Sequence, residues 1–232
     1  MVQTPAISQA LYPDSDGNPM ADNTIQYRWI VRLVTNLKQL LKGQTAFVAG
    51  DLLWYPIEVK TSPAPSQAPD AMVVLGRPDG DRGSYKQWEE ENIAPQVVFE
   101  ILSPSNSARE MMAKQIFYGK YGVLEMFFYD PDSYDFWGLV RETAEQDFIP
   151  IMPINLPWVS PALGIRFELS SDGLHVFYPN GEEFKDPGTF IEERDQANQE
   201  RDQANQERDQ AQAERDRAVA KLRELGIDPN QI

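Results

Sequence analysis

Asp70, Glu100 and Lys114 are the residues of this chain whose types and spacing could do chemistry together. Glu100 sits in the apolar run Gln96-Val97-Val98-Phe99-Glu100-Ile101-Leu102. Alternation gives Val98, Glu100 and Leu102 one face and Val97, Phe99 and Ile101 the other, so the strand reads as buried on both sides. An ionised carboxylate there has to be paired, metal-bound, protonated or at the strand's open end. Upstream, Asp70 stands between Pro69 and a second apolar run, Ala71-Met72-Val73-Val74-Leu75. Two acids at the ends of apolar strands suggest a shared site. Downstream, Lys114, Tyr118 and Tyr121 recur at helical spacing on a flank that can turn towards the strand of Glu100. Asp, Glu and Lys gathered around a hard cation form a working set for phosphodiester hydrolysis. The acids hold the ion, the ion lowers the pKa of water, and the lysine places the attacking water and offsets charge on the phosphate.

Composition narrows the alternatives. The chain has no cysteine, which removes thiol catalysis, disulfides and thiolate metal sites together. A single histidine excludes a site built from several imidazoles and argues against a serine–histidine relay. That residue, His175, lies in the expected strand Leu174 to Tyr178 and reads as structural. A metal here must therefore accept oxygen ligands, as Mg2+, Mn2+ or Ca2+ do. The net charge of −15 argues against a broad basic nucleic-acid surface, and the acidity is not confined to the tail: residues 191–232 carry 7 basic and 11 acidic side chains, which leaves −11 on the rest. The first residues, MVQTPAISQALYPDSDGNPM, lack the basic start and apolar centre of a secretory signal, and no apolar run reaches a membrane span, so a soluble cytoplasmic protein is expected.

The elements that must position the three residues follow from pattern. After a polar lead over 1–21, Asp22 or Asn23 caps a helix with an apolar stripe of Ile25, Trp29, Ile30, Leu33, Leu37, Leu40 and Leu41, ended by Gly43. Residues 46–59 read as one or two strands carrying Asp51 and Glu58, and a proline-rich loop leads to the Asp70 strand. Residues 76–95 read as a polar, turn-rich excursion in which Arg77, Arg82 and Lys86 are candidates for substrate contact. Ser103 to Asn106 breaks the Glu100 strand, and Ser107 with Glu110 has the spacing of a capping box opening a helix at Ala108 that Gly122 ends. Strands over 124–129, 135–140, 164–169 and 174–178 follow, the last two joined by a Ser171-Asp172-Gly173 turn. The expected class is α/β (α+β): a mixed central sheet flanked by helices, with extra C-terminal antiparallel strands and a long C-terminal helix. The globular domain is placed at 22–190 and the helical tail at 191–232.

The tail repeats with a period of seven from Glu193. Its seam would be Ala197, Ala204, Ala211 and Ala218 with Arg201, Arg208 and Arg215, turning apolar at Leu222 and Leu225, and Asp228-Pro229 ends it. Such a seam is weak, so the helix reads as exposed or loosely self-associating rather than as a tight coiled coil.

In Pro69-Asp70, the block Phe99-Glu100-Ile101-Leu102-Ser103-Pro104-Ser105-Asn106, then Lys114, Tyr118, Gly122-Val123, Glu125 and Asp130-Pro131, the chain resembles the Uma2 (DUF820) family of endonucleases over roughly residues 22–185, and in its tail cyanobacterial-type members. The resemblance implies a restriction-endonuclease-like fold of the PD-(D/E)XK superfamily. The usual motif is broken here, because Leu102 stands where a lysine belongs and a leucine cannot polarise water. The resemblance implies that the lysine is relocated onto the next helix, as Lys114. It also implies Asp70 and Glu100 as metal ligands with the carbonyl of Ile101 as a third, Tyr118 as support for Lys114, and Mg2+ or Mn2+ as cofactor. Asp51 is a further candidate for support from the neighbouring strand.

Three functions compete on this reading. The first is a metal-dependent endonuclease acting on DNA, plausible as a homodimer because duplex cleavage needs two active sites or two visits. The second is a nuclease-fold interaction module that no longer cuts and docks or oligomerises through its tail. Two-carboxylate glycoside hydrolysis is the third, but it needs no lysine and its usual aromatic platforms are missing from the scattered tryptophans.

Overall fold

A computed structural model describes residues 11–17 and 19–224. Residues up to Lys185 form one compact unit, and a second begins at Asp186.

Helix α1 (Thr24–Leu40) starts where Asn23, in extended conformation, accepts the N–H groups of Ile25 and Gln26 at 2.9 Å each. It buries Ile30, Leu33 and Leu37 and closes just before Gly43, whose φ of +83° suits glycine. Ile25, expected in the apolar stripe, is 37% exposed, and Gln26 takes the inward position instead.

The strands are β1 (Ala46–Ala49), β2 (Trp54–Tyr55), β3 (Ala71–Leu75), β4 (Tyr85–Lys86), β5 (Val97–Ile101), β6 (Glu125–Asp130), β7 (Asp135–Val140), β8 (Ile149–Ile151), β9 (Trp158–Val159), β10 (Arg166–Ser170) and β11 (Gly173–Phe177). The central sheet has the order β1-β3-β5-β6-β7-β8. Only the β5–β6 pair is parallel, as the crossover through helix α2 (Ala108–Lys120) requires. Alternation along the strands builds a core on each face. Val73, Val97, Phe99, Ile101 and Phe127 face α1 together with Phe167 and Val176, whereas Met72, Val74, Val98, Met126 and Phe128 face Met111 and Tyr118 of α2. The sheet is thus buried on both sides, which is why its strands read as continuous apolar runs.

Several expectations need adjustment. The stretch 46–59 becomes two short strands with Asp51 between them, and Glu58 lies in an exposed loop. The 76–95 excursion contains β4, which pairs in parallel with β2, and a 3-10 turn at Gln87–Glu89. Strands β9, β10 and β11 form a separate three-stranded antiparallel sheet, while the central sheet is extended by β8, whose Ile-Pro-Ile sequence carried no clear strand signal. The second unit holds helix α3 (Pro187–Glu224), which begins six residues ahead of the repeat and has no buried residue. Pairs such as Gln196–Glu200 and Gln203–Glu207, both 3.0 Å, support it at i,i+4 spacing. Leu225 and the Asp228-Pro229 stop lie outside the described residues. No helix among those described is long and apolar enough to cross a membrane.

Candidate active site

The register of the sheet brings the acids together. In the antiparallel β3–β5 pair Ala71 lies opposite Phe99, so one step further the residue before β3, Asp70, comes opposite Glu100. Asp70 Oδ2 accepts the N–H of Ile101 at 2.6 Å. Glu100 points to the even-numbered face, towards α2. The start of that helix is fixed by Ser107, whose Oγ accepts the N–H of Glu110 at 3.2 Å, and by the turn before it, where Asn106 Oδ1 accepts the N–H of Ser103 at 2.9 Å. Lys114 and Tyr118, one turn apart, then descend on the same carboxylate. Lys114 Nζ donates to Glu100 Oε2 at 2.6 Å, and the Tyr118 hydroxyl donates to Oε1.

Burial sets the electrostatics. Asp70 is 7% exposed and Glu100 2%. Desolvation holds the Asp70 carboxyl well above the usual range, reinforced by the charge of Glu100 and opposed by Lys114 and the Ile101 N–H. Desolvation also raises Glu100 against the pull of Lys114 and Tyr118. Burial alone would lower Lys114, yet the Glu100 carboxylate outweighs it and the ammonium is stabilised. Asp70 and Lys114 border a cavity of about 490 Å3, with Gln26, Asp22, Asp51 and Glu110 also on its wall, and Glu100 lies behind them, held by Lys114. Asp51 reaches it from a residue held at φ +48°, with its N–H on the Pro69 carbonyl at 3.0 Å, and burial raises its pKa.

Asp70, Glu100, Ile101 and Lys114 are therefore neighbours, with Asp51 on the same cavity. Tyr118 supports Glu100 rather than Lys114. The Ile101 carbonyl already accepts a hydrogen bond from Gln26 Nε2 at 2.8 Å. Arg77, Arg82 and Lys86 do not line this cavity: Arg77 and Arg82 clasp Glu90 at 2.8 and 2.7 Å, and Lys86 approaches Glu89 at 3.9 Å. Tyr121 packs against Phe117 and Trp54. His175 is bound by Glu183 and Ser170 in the three-stranded sheet.

Three contributions were missed in the sequence. Asp22, weighed only as a cap, accepts the hydroxyls of Ser103, at 2.6 Å, and Ser105. The segment before α1, read as a lead, packs Tyr12 against Tyr55 and Trp88 and brings Asp16 and Met20 to the cavity. Gln26 carried a usable signal, because it sits one turn before Ile30 on an otherwise apolar stripe.

The donor set fits a hard divalent cation. Among the described residues no three His, Cys, Asp or Glu side chains gather closely enough to hold a metal by themselves. Two carboxylates with several retained waters is, however, the usual protein share for Mg2+. Asp70 Oδ1 receives no hydrogen bond from any described residue, and burial, with the charge of Glu100 beside it, raises the carboxyl's pKa. Both features suit a cation, which Asp70 would hold with its free oxygen.

Two buried strand-end acids thus meet a lysine from the following helix. The chain belongs to the Uma2 family, described as "putative restriction endonuclease", whose profile matches residues 17–162, more than half of its length. That membership supports a nuclease-type hydrolase. Among solved structures, a "putative nuclease belonging to DUF820" from Anabaena variabilis ATCC 29413 is similar at 18% identity with a TM-score of 0.40, covering 63% of this chain and 76% of that one. No curated protein matches the chain.

Proposed function

We propose that the protein is a divalent-metal-dependent endonuclease that hydrolyses phosphodiester bonds of DNA, with Mg2+ or Mn2+ as its ion. The observation that carries this reading is the 2.6 Å contact of Lys114 with Glu100 beside Asp70, which supplies from α2 the cation that Leu102 cannot. Asp70 and Glu100 would hold the ion, with the Ile101 carbonyl as third ligand.

A cation held there supplies Lewis acidity, lowering the pKa of water and neutralising charge on the phosphate. Lys114 keeps its proton because Glu100 stabilises the ammonium, and its Nζ places positive charge where the phosphate becomes more anionic. Tyr118 fixes one oxygen of Glu100 and Lys114 the other, so the carboxylate cannot swing. The Ile101 N–H occupies Asp70 Oδ2, so Oδ1 is the oxygen that would take part in holding the ion.

Purified protein with Mg2+ or Mn2+ is expected to nick or cut DNA, and Asp70→Ala and Lys114→Ala to leave it intact. If no DNA or RNA is cut beyond what Asp70→Ala also cuts, the reading is lost. The acid-lined cavity and α3, which buries no residue, favour one competitor, an interaction module that does not cut. A calorimetric titration separates the two, since the module needs no affinity for Mn2+ that depends on Asp70.

A further inference from the structure

Gln26 is the one polar side chain on the buried stripe of α1 near the cavity, 6% exposed, and both ends of its amide are committed. Nε2 donates to the Ile101 carbonyl and Oε1 accepts the N–H of Asp22, each at 2.8 Å. The amide has only one possible orientation, because a carbonyl can only accept and a backbone N–H can only donate. A leucine here would pack with Ile30 and Leu33 without desolvating an amide, so packing alone gives no reason for glutamine. Its two partners lie on different parts of the site. Ile101 follows Glu100 and gives its N–H to Asp70, and Asp22 accepts from Ser103 and Ser105 on the turn that launches α2.

We propose that Gln26 is a positioning residue: it orients the Ile101 carbonyl beside the two acids and locks the segment before α1 to the strand that carries Glu100. This rests on the metal-dependent reading above. Partners that orient metal ligands without touching the ion typically change metal affinity or activity about 10- to 100-fold when lost.

The test is a Mn2+ titration of the full chain by calorimetry, paired with thermal melts in EDTA and steady-state cleavage. Gln26→Met keeps the length and the packing and removes both hydrogen bonds. It is expected to weaken Mn2+ binding about 10- to 100-fold and to lower kcat with KM for DNA unchanged, while the EDTA melt stays cooperative. Gln26→Asn keeps an amide one methylene too short to span both partners, and it decides the matter if Gln26→Met does not fold. It should weaken Mn2+ in the same direction. Mn2+ affinity within twofold of wild type in both variants would overturn the proposal and reduce Gln26 to a packing residue. Wild-type protein that binds no Mn2+ at all is a separate outcome, which overturns the metal reading and this one with it.

Discussion

Glu100 and Glu125 are equally buried, each 2% exposed, on the neighbouring parallel strands β5 and β6. Val97 pairs with Glu125, so the two acids sit at opposite ends of the strand pair. Desolvation raises the pKa of both. Their partners differ. Glu125 accepts from the Ser160 hydroxyl and from the Ala162 N–H, at 2.8 Å, which are neutral donors that tie down the loop before β10. Glu100 accepts from an ammonium and a phenol, beside a second buried acid and an acid-lined cavity. Burial alone therefore does not mark a site; a titratable partner and room beside it do.

The largest effect that could break this contrast is at Asp70. Asp70→Asn retains an oxygen for the Ile101 N–H but removes a carboxylate with too little compensating charge. Cleavage should fall at least about a thousandfold, while the metal-free protein melts no lower than wild type. A lower melt with cutting intact would place Asp70 in the same structural class as Glu125.

Glu125→Ala should do the reverse. It strands the Ser160 hydroxyl and the Ala162 N–H in the interior, at about 2–3 kcal/mol, which a urea melt resolves readily, and it should leave kcat unchanged once the protein is folded. A loss of activity in the folded variant would mean that the two ends of the strand pair are coupled.

The pH dependence sharpens the comparison further. Asp70, Glu100 and Glu125 are all held above their ordinary values, so on acidification the folded chain takes up protons before the unfolded chain does. Metal-free stability should then rise as pH falls from neutral towards the ordinary carboxylate range of about 4, and decline as pH climbs through the raised values. Saturating Mg2+ should flatten the part owed to Asp70 and Glu100 and leave the part owed to Glu125, so Glu125→Gln in Mg2+ should show the flattest profile. A slope indifferent to Mg2+ would argue against ion binding at the acid pair.

Much of this was legible in the chain. The alternation in 96–102 predicted which face Glu100 takes, and the Ser107 cap with helical spacing put Lys114 within its reach, because cap, period and pleat are local rules, whereas Tyr118, expected to support Lys114, bonds Glu100 instead. The pairing of β2 with β4 and the partner that Gln26 finds on β5 were not legible. Each depends on contacts between residues far apart in sequence: Gln26 and Ile101 are 75 residues apart. The opening segment was misread for the same reason, since its polar composition says nothing of Tyr12 docking on Tyr55.

Arg82 shows the limit of reading charge without geometry, and it supplies the smallest test. Its guanidinium stacks 4.0 Å above the Phe47 ring and clasps Glu90, which Arg77 also holds. A side chain so engaged has few donors left for a phosphate, whereas Lys114 borders the cavity. Arg82→Ala should cost about 1 kcal/mol in a denaturant melt, from the lost stacking and ion pair, and leave kcat/KM for DNA within about twofold of wild type. A drop in kcat/KM of tenfold or more with the melt unchanged would restore Arg82 as a substrate contact, and the path of the DNA would then have to run over the 76–95 excursion as well as the cavity.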